Sequence, residues 1–80
     1  MNDRTMMRAR LQIDLVLVVY RAERDRARRR GGKPEVEHRI RARSLEILDA
    51  LRTRIAGDPA SDPDVLAELA AARDEVTSEA

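Results

Sequence analysis

The most regular pattern of apolar residues lies in the middle of the chain. Apolar and small side chains recur there every three or four residues, which is the spacing of one face of an α-helix. This face comprises Val36, Ile40, Ser44, Ile47, Leu48, Leu51 and Ile55. Glu35 and Glu37 follow Pro34, and acidic side chains in a first turn favour the positive end of the helix dipole. We therefore predict a helix from about residue 34 to residue 56.

A second apolar segment, residues 11–20, allows two interpretations. Within a helix from about residue 4 to residue 30 it carries two apolar stripes, so the helix would contact two neighbours. One stripe consists of Met7, Leu11, Leu15, Val18 and Ala22, and the other of Ile13, Leu17 and Tyr20. As a strand, residues 11–15 alternate between apolar and polar and the valines after them favour a sheet. We prefer the helix and keep an intersubunit strand as the alternative.

Glycine and proline residues divide the chain into three segments, at 31–34 and at 57–63. Glycine can close a helix in the left-handed conformation, and proline suits the first position of the next helix. Asp62, or Ser61 with Asp64, would cap a third helix from about residue 63 to residue 78. Its narrow stripe is Val65 or Leu66, Leu69, Arg73 and Val76. The pattern predicts one all-α domain of residues 1–80, an antiparallel helical hairpin plus a short, accessory third helix.

Folding the first two helices back through the glycine turn brings together residues whose numbers sum to about 65. Leu17 then lies opposite Leu48, and Leu11 lies opposite Ile55, so the apolar core is far from the turn. Eighty residues bury a small core, and oligomerisation is a common remedy. We therefore expect a homo-oligomer, with a dimer favoured. Its predicted interface comprises Leu11, Ile13, Leu15, Leu17, Val18, Tyr20, Ile47, Leu51 and Ile55.

The charges are distributed unevenly, although the net charge is only +1. Residues 1–55 hold 15 basic and 8 acidic side chains, whereas residues 56–80 hold one basic side chain and 7 acidic ones. Nine basic residues flank the glycine turn: Arg24, Arg26, Arg28, Arg29, Arg30, Lys33, Arg39, Arg41 and Arg43. This basic tip predicts contact with an acidic protein surface or with nucleic acid phosphates. A solvated tip, or one covered by the acidic C-terminal segment, is the alternative.

The residues that usually perform chemistry are scarce. Cysteine is absent, and His38 is the only histidine, so neither a metal site nor a nucleophile with its base is indicated. We expect no catalytic residue, no cofactor and no enzymatic activity. Gln12 and Asp14 interrupt the apolar run of residues 11–20, which is also far shorter than the ~20 residues that span a bilayer. We expect a cytoplasmic protein without a membrane partner.

These features favour a small, non-enzymatic module for protein–protein interaction or oligomerisation, acting as an adaptor, a regulator or an assembly component. The alternative is a dimeric DNA-binding protein. If residues 11–15 form a strand, the pattern of residues 8–56 resembles that of ribbon-helix-helix proteins, and Arg10, Gln12 and Asp14 would point toward the major groove. A DNA-binding protein that uses the basic tip is the other form of this alternative.

Overall fold

Three helices make up the fold. The computed structural model describes residues 3–59 and 61–78. The helices are α1 (Asp3–Arg29), α2 (Pro34–Ala56) and α3 (Pro63–Ser78), and each begins and ends within one residue of its predicted position. The described part of the chain contains no strand. Residues 11–15 lie inside α1, so the strand interpretation is wrong.

Helices α1 and α2 form the predicted antiparallel hairpin, but Leu11, which we expected opposite the buried Ile55, is 62% exposed, so that predicted contact is wrong. Nε of Arg28 lies 2.9 Å from a carboxylate oxygen of Glu37, and a guanidinium nitrogen of Arg43 lies 3.2 Å from Glu23. The numbers of these partners sum to 65 and 66. Helix α3 contacts both other helices, which makes the fold a three-helix bundle. It has 16 residues against 27 in α1, so the hairpin extends beyond α3 on the side of the glycine turn.

The core contains side chains from all three helices. Its buried apolar residues are Met6, Ala9, Ile13, Tyr20, Ala27, Ile40, Leu48, Leu51, Ile55, Val65, Leu69, Ala72 and Val76. Helix α3 provides four of them, including the fully buried Val65 and Val76. We predicted an accessory third helix, but α3 completes the core. Three of the four, Val65, Leu69 and Val76, come from the predicted narrow stripe, and Ala72 is the one buried alanine of α3.

The two apolar stripes of α1 have opposite environments. Ile13 and Tyr20 are 2% and 3% exposed and face α2 and α3. Met7, Leu11, Leu15 and Val18 are 59–63% exposed. A helix turns by about 100° per residue, which places these four residues on the opposite side from the core. The single chain therefore buries one stripe and leaves the other one open.

Ion pairs attach the acidic third helix to the other two. Arg10 lies 3.3 Å from Glu68, and Nε of Arg21 donates a hydrogen bond of 2.7 Å to Glu75. Nε of Arg73 donates a hydrogen bond of 2.9 Å to Asp49 on α2, and this bond lowers the pKa of Asp49 below its ordinary value. These pairs are exposed, so each contributes little stability. They nevertheless show that part of the charge asymmetry is neutralised within the fold.

The ends of the helices follow local sequence signals, with one exception. Gly31 and Gly32 have positive φ angles of 115° and 63°, and the N–H of Gly32 donates to the carbonyl of Ala27. This is a Schellman ending of α1. The carboxylate of Asp62 accepts a hydrogen bond of 2.9 Å from the N–H of Asp64 and thereby caps α3. Gly57 is the exception: its φ of −75° is right-handed, so a left-handed ending of α2 was a wrong expectation.

Replacing Gly31 by alanine should lower the free energy of unfolding by about 1–2 kcal/mol, because a Cβ disfavours a positive φ. No atom lies within 4 Å of the site of that Cβ, so backbone strain is the only cost. Gly57→Ala is the control for strain, since its right-handed φ suits alanine; its Cβ would lie 3.3 Å from the carbonyl oxygen of Thr53, so we expect a change of less than about 1 kcal/mol in either direction. Urea denaturation at one protein concentration measures both. Equal effects of the two substitutions would contradict the assigned turn.

Candidate interaction surfaces

The first candidate surface is the open stripe of α1, here called the outer stripe: Met7, Leu11, Leu15 and Val18. These residues follow one another at intervals of three or four, so their side chains form one continuous row along the helix. A contiguous apolar patch on a small protein, on the order of 400 Å² here, commonly marks an interaction site. The row ends at charged side chains, Arg4 on one side and Asp25 on the other.

The second candidate surface is a groove between α1 and α2, on the side that α3 leaves uncovered. This apolar groove has a volume of about 440 Å³. It is lined by Gln12, Leu15, Val16, Val19, Glu23, Arg43, Ser44, Ile47, Ala50, Leu51 and Arg54. Val19 and Ile47 stand on its opposite walls and are 44% and 47% exposed. The hydroxyl of Ser44 donates to the carbonyl of Ile40 at 2.9 Å, so its polarity is satisfied within the helix.

A cationic groove of about 570 Å³ continues the apolar groove toward the glycine turn. It is lined by Glu23, Arg26, Ala27, Arg30, Lys33, Val36, Arg39, Ile40 and Arg43. Glu23 and Arg43 line both cavities, and their ion pair marks the junction between them. The lining of the cationic groove thus contains five basic side chains and a single carboxylate, that of Glu23, beside three apolar residues. The two grooves together form one channel that is apolar at one end and positive at the other.

The nine residues of the predicted basic tip fall into different environments. Arg24 stacks over the ring of Tyr20 at 5.6 Å and pairs with Asp25, and Arg28 pairs with Glu37. Arg26, Arg29, Arg30, Lys33 and Arg39 make no ion pair with any residue that the structure describes. Four of these five line the cationic groove, and Arg29 lies outside it. Glu79, one of the acidic residues at the C-terminus, lies outside the described residues.

The predicted oligomer interface has to be revised in part. Ile13, Tyr20, Leu51 and Ile55 are 2–4% exposed, so they belong to the core of the single chain, and of these four only Leu51 also lines the apolar groove. Leu17 is half-buried against the same core. Leu11, Leu15, Val18 and Ile47 are exposed as an interface requires. Met7 and Val19 are exposed as well, and the prediction left them out although the helical spacing of Met7 placed it on the outer stripe.

The side chains with potential for chemistry stay apart. His38 is exposed on α2. Within residues 3–59 and 61–78, no three histidine, cysteine, aspartate or glutamate side chains come together as metal ligands would. No helix in this part of the chain combines the length and the hydropathy that spanning a bilayer requires.

The protein is a three-helix bundle with one exposed apolar helix face. Next to this face lies a channel that is apolar at one end and cationic at the other. No protein-family model matches the chain, and no curated protein or solved structure is significantly similar to it.

Proposed function

We propose that this protein is a small, non-enzymatic interaction module that works as a homodimer. The observation that carries the proposal is the outer stripe, because four large apolar side chains in one row are exposed on a chain with a complete core of its own. Exposing such a row to water is unfavourable, and covering it with another apolar surface recovers that free energy. A second copy offers a surface of the same length and shape.

Two outer stripes pair well in the antiparallel sense. In that arrangement residues whose numbers sum to about 29 face each other, so Met7 lies opposite Ala22, and Leu11 lies opposite Val18. The same pairing places Arg4 opposite Asp25, which have opposite charges. Such an interface is isologous, as in most symmetric dimers. With its polar flanks it would bury on the order of 1,200 Å² in total, where specific interfaces begin.

Replacing Leu11 and Val18 together by glutamate should abolish the dimer, because two charges per copy would be desolvated at its centre. We expect sedimentation velocity to show a dimer for the unaltered protein at micromolar concentration and a monomer for this variant. Circular dichroism should show unchanged helicity, since both positions are exposed in the single chain.

The matched control replaces Ala42 and Ala67 by glutamate, which adds the same charge at exposed positions away from the stripe. This control should sediment as a dimer. An unaltered protein that remains monomeric at about 100 micromolar would overturn the proposal.

DNA binding is the second proposal. A ribbon-helix-helix mode lacks support, because residues 11–15 are helical. The tip form is supported by five basic side chains that make no ion pair with a described residue. It predicts affinity for duplex DNA that falls steeply with salt, as phosphate contacts do.

A further inference from the structure

We propose that the apolar and cationic grooves form one docking site for an amphipathic helix of a partner protein, with an apolar stripe and an acidic end. This inference deepens the proposed function by naming the partner class of an interaction module. It shares only Leu15 with the dimer interface, because Leu15 belongs to the outer stripe and also lines the edge of the apolar groove, whereas Met7, Leu11 and Val18 lie outside the channel.

The channel has the dimensions and polarity of a helix site. Its lining runs along α2 from Lys33 to Arg54, which corresponds to about 30 Å of helix. A ligand helix of about 20 residues has that length. Its apolar stripe would contact Val19, Ile47 and Ala50 in the apolar groove, as in other helix-in-groove complexes. Its acidic residues would meet the cationic groove.

The fold already contains a complex of this kind. Helix α3 lies in the opposite groove between α1 and α2 and buries Val65, Leu69 and Val76 at helical spacing. Its glutamates pair with arginines of α1, Glu68 with Arg10 and Glu75 with Arg21. The free channel offers the same combination of an apolar floor and basic walls, so its complement is a helix with the chemistry of α3.

Helix dipoles favour one orientation of the ligand helix. The C-terminal end of a helix carries partial negative charge, which favours basic side chains around it. Arg26, Arg30 and Arg39 in the cationic groove make no ion pair with a described residue, so they are available for this role. The ligand helix should therefore run parallel to α1 with its acidic C-terminal end at the glycine turn. Helix α3 has the same orientation, since Asp62 lies near Arg10 and Glu75 near Arg21.

The shape of the cationic groove favours a helix over nucleic acid. Its floor consists of Ala27, Val36 and Ile40, which provide no hydrogen bond to a phosphate or a base. No aromatic side chain stands among its basic residues to stack on a single-stranded base. A helix about 10 Å wide can enter the space between two helices, whereas duplex DNA would reach only its rim.

The test uses a fluorescent synthetic peptide of about 20 residues, with leucines at helical spacing and glutamates in its last two turns. The control peptide has the same sequence with glutamine in place of each glutamate. Fluorescence anisotropy with the intact protein should show at least about tenfold tighter binding of the first peptide. Its affinity should fall as salt increases, because the acidic end binds through ion pairs.

Protein variants locate the site. Arg30→Glu with Arg39→Glu should weaken peptide binding at least about tenfold, whereas Arg29→Glu with Arg52→Glu makes the same charge change outside the channel and should leave it nearly unchanged. Ile47→Asp should abolish peptide binding, because it places a charge on the wall of the apolar groove. Circular dichroism confirms that each variant is folded.

Three results would overturn the proposal: equal affinity for both peptides, equal effects of the two arginine pairs, or displacement of the peptide by duplex DNA with DNA bound the more tightly. The glutamate variant of Leu11 and Val18 separates this proposal from the dimer. If this variant is monomeric and still binds the peptide, the result supports both the dimer and the channel. Peptide binding by an unaltered protein that is monomeric supports the channel alone.

Discussion

Replacing Leu48 by alanine should destabilise the protein by about 3–5 kcal/mol, enough to leave much of the population unfolded. Leu48 is 0% exposed, near the middle of α2, and belongs to the core shared by all three helices. Its truncation loses the burial of the side chain and leaves a cavity that rigid helix backbones cannot fill. A chain of 80 residues has little stability in reserve.

The neighbouring residue provides the control. Ile47 is 47% exposed on the wall of the apolar groove, so Ile47→Ala should cost about 1 kcal/mol or less. Urea denaturation followed by circular dichroism compares both variants with the unaltered protein. If Ile47→Ala costs as much as Leu48→Ala, the inward face of α2 is assigned incorrectly.

An aspartate should have opposite consequences on the two stripes of α1. Ile13→Asp would bury a carboxylate without a partner in the core, and we expect the variant not to fold. Val18→Asp places the same carboxylate where the single chain leaves the side chain 59% exposed. From the sequence we expected Val18 in the oligomer interface, with loss of assembly as the first consequence of a charge there. Its exposure in the single chain predicts a folded bundle, which under the proposed function no longer dimerises.

Circular dichroism and sedimentation velocity of both variants check this prediction. Val18→Asp should retain the helical signal and sediment as a monomer, while Ile13→Asp should lose most of its helicity. The two substitutions introduce the same side chain into the same helix, so the helix propensity of aspartate cannot account for a difference in helicity between the two variants. Unfolding of Val18→Asp would show that the bundle depends on its partner, which would contradict an autonomous three-helix core.

Much of the fold was accessible from local signals. Gly31, Gly32 and Pro34 mark the first turn, and Asp62 with Pro63 marks the start of α3, because these residues act through φ angles and hydrogen bonds of their own segment. The basic tip was also visible as a cluster in the sequence. The sequence did not show which basic side chains of the tip remain without ion pairs, because pairs such as Arg43 with Glu23 join different helices.

Local sequence signals indicated three segments and their approximate ends, and two apolar stripes on α1 if that segment is helical, whereas the structure was needed to exclude a strand at residues 11–15. Spacing defines which residues share a face, because it depends only on the geometry of one helix. Only the tertiary structure decided which stripe faces inward, and that α3 covers one side of the hairpin and leaves the channel on the other. Those choices depend on how all three helices bury their apolar surface together, and no single segment contains that information.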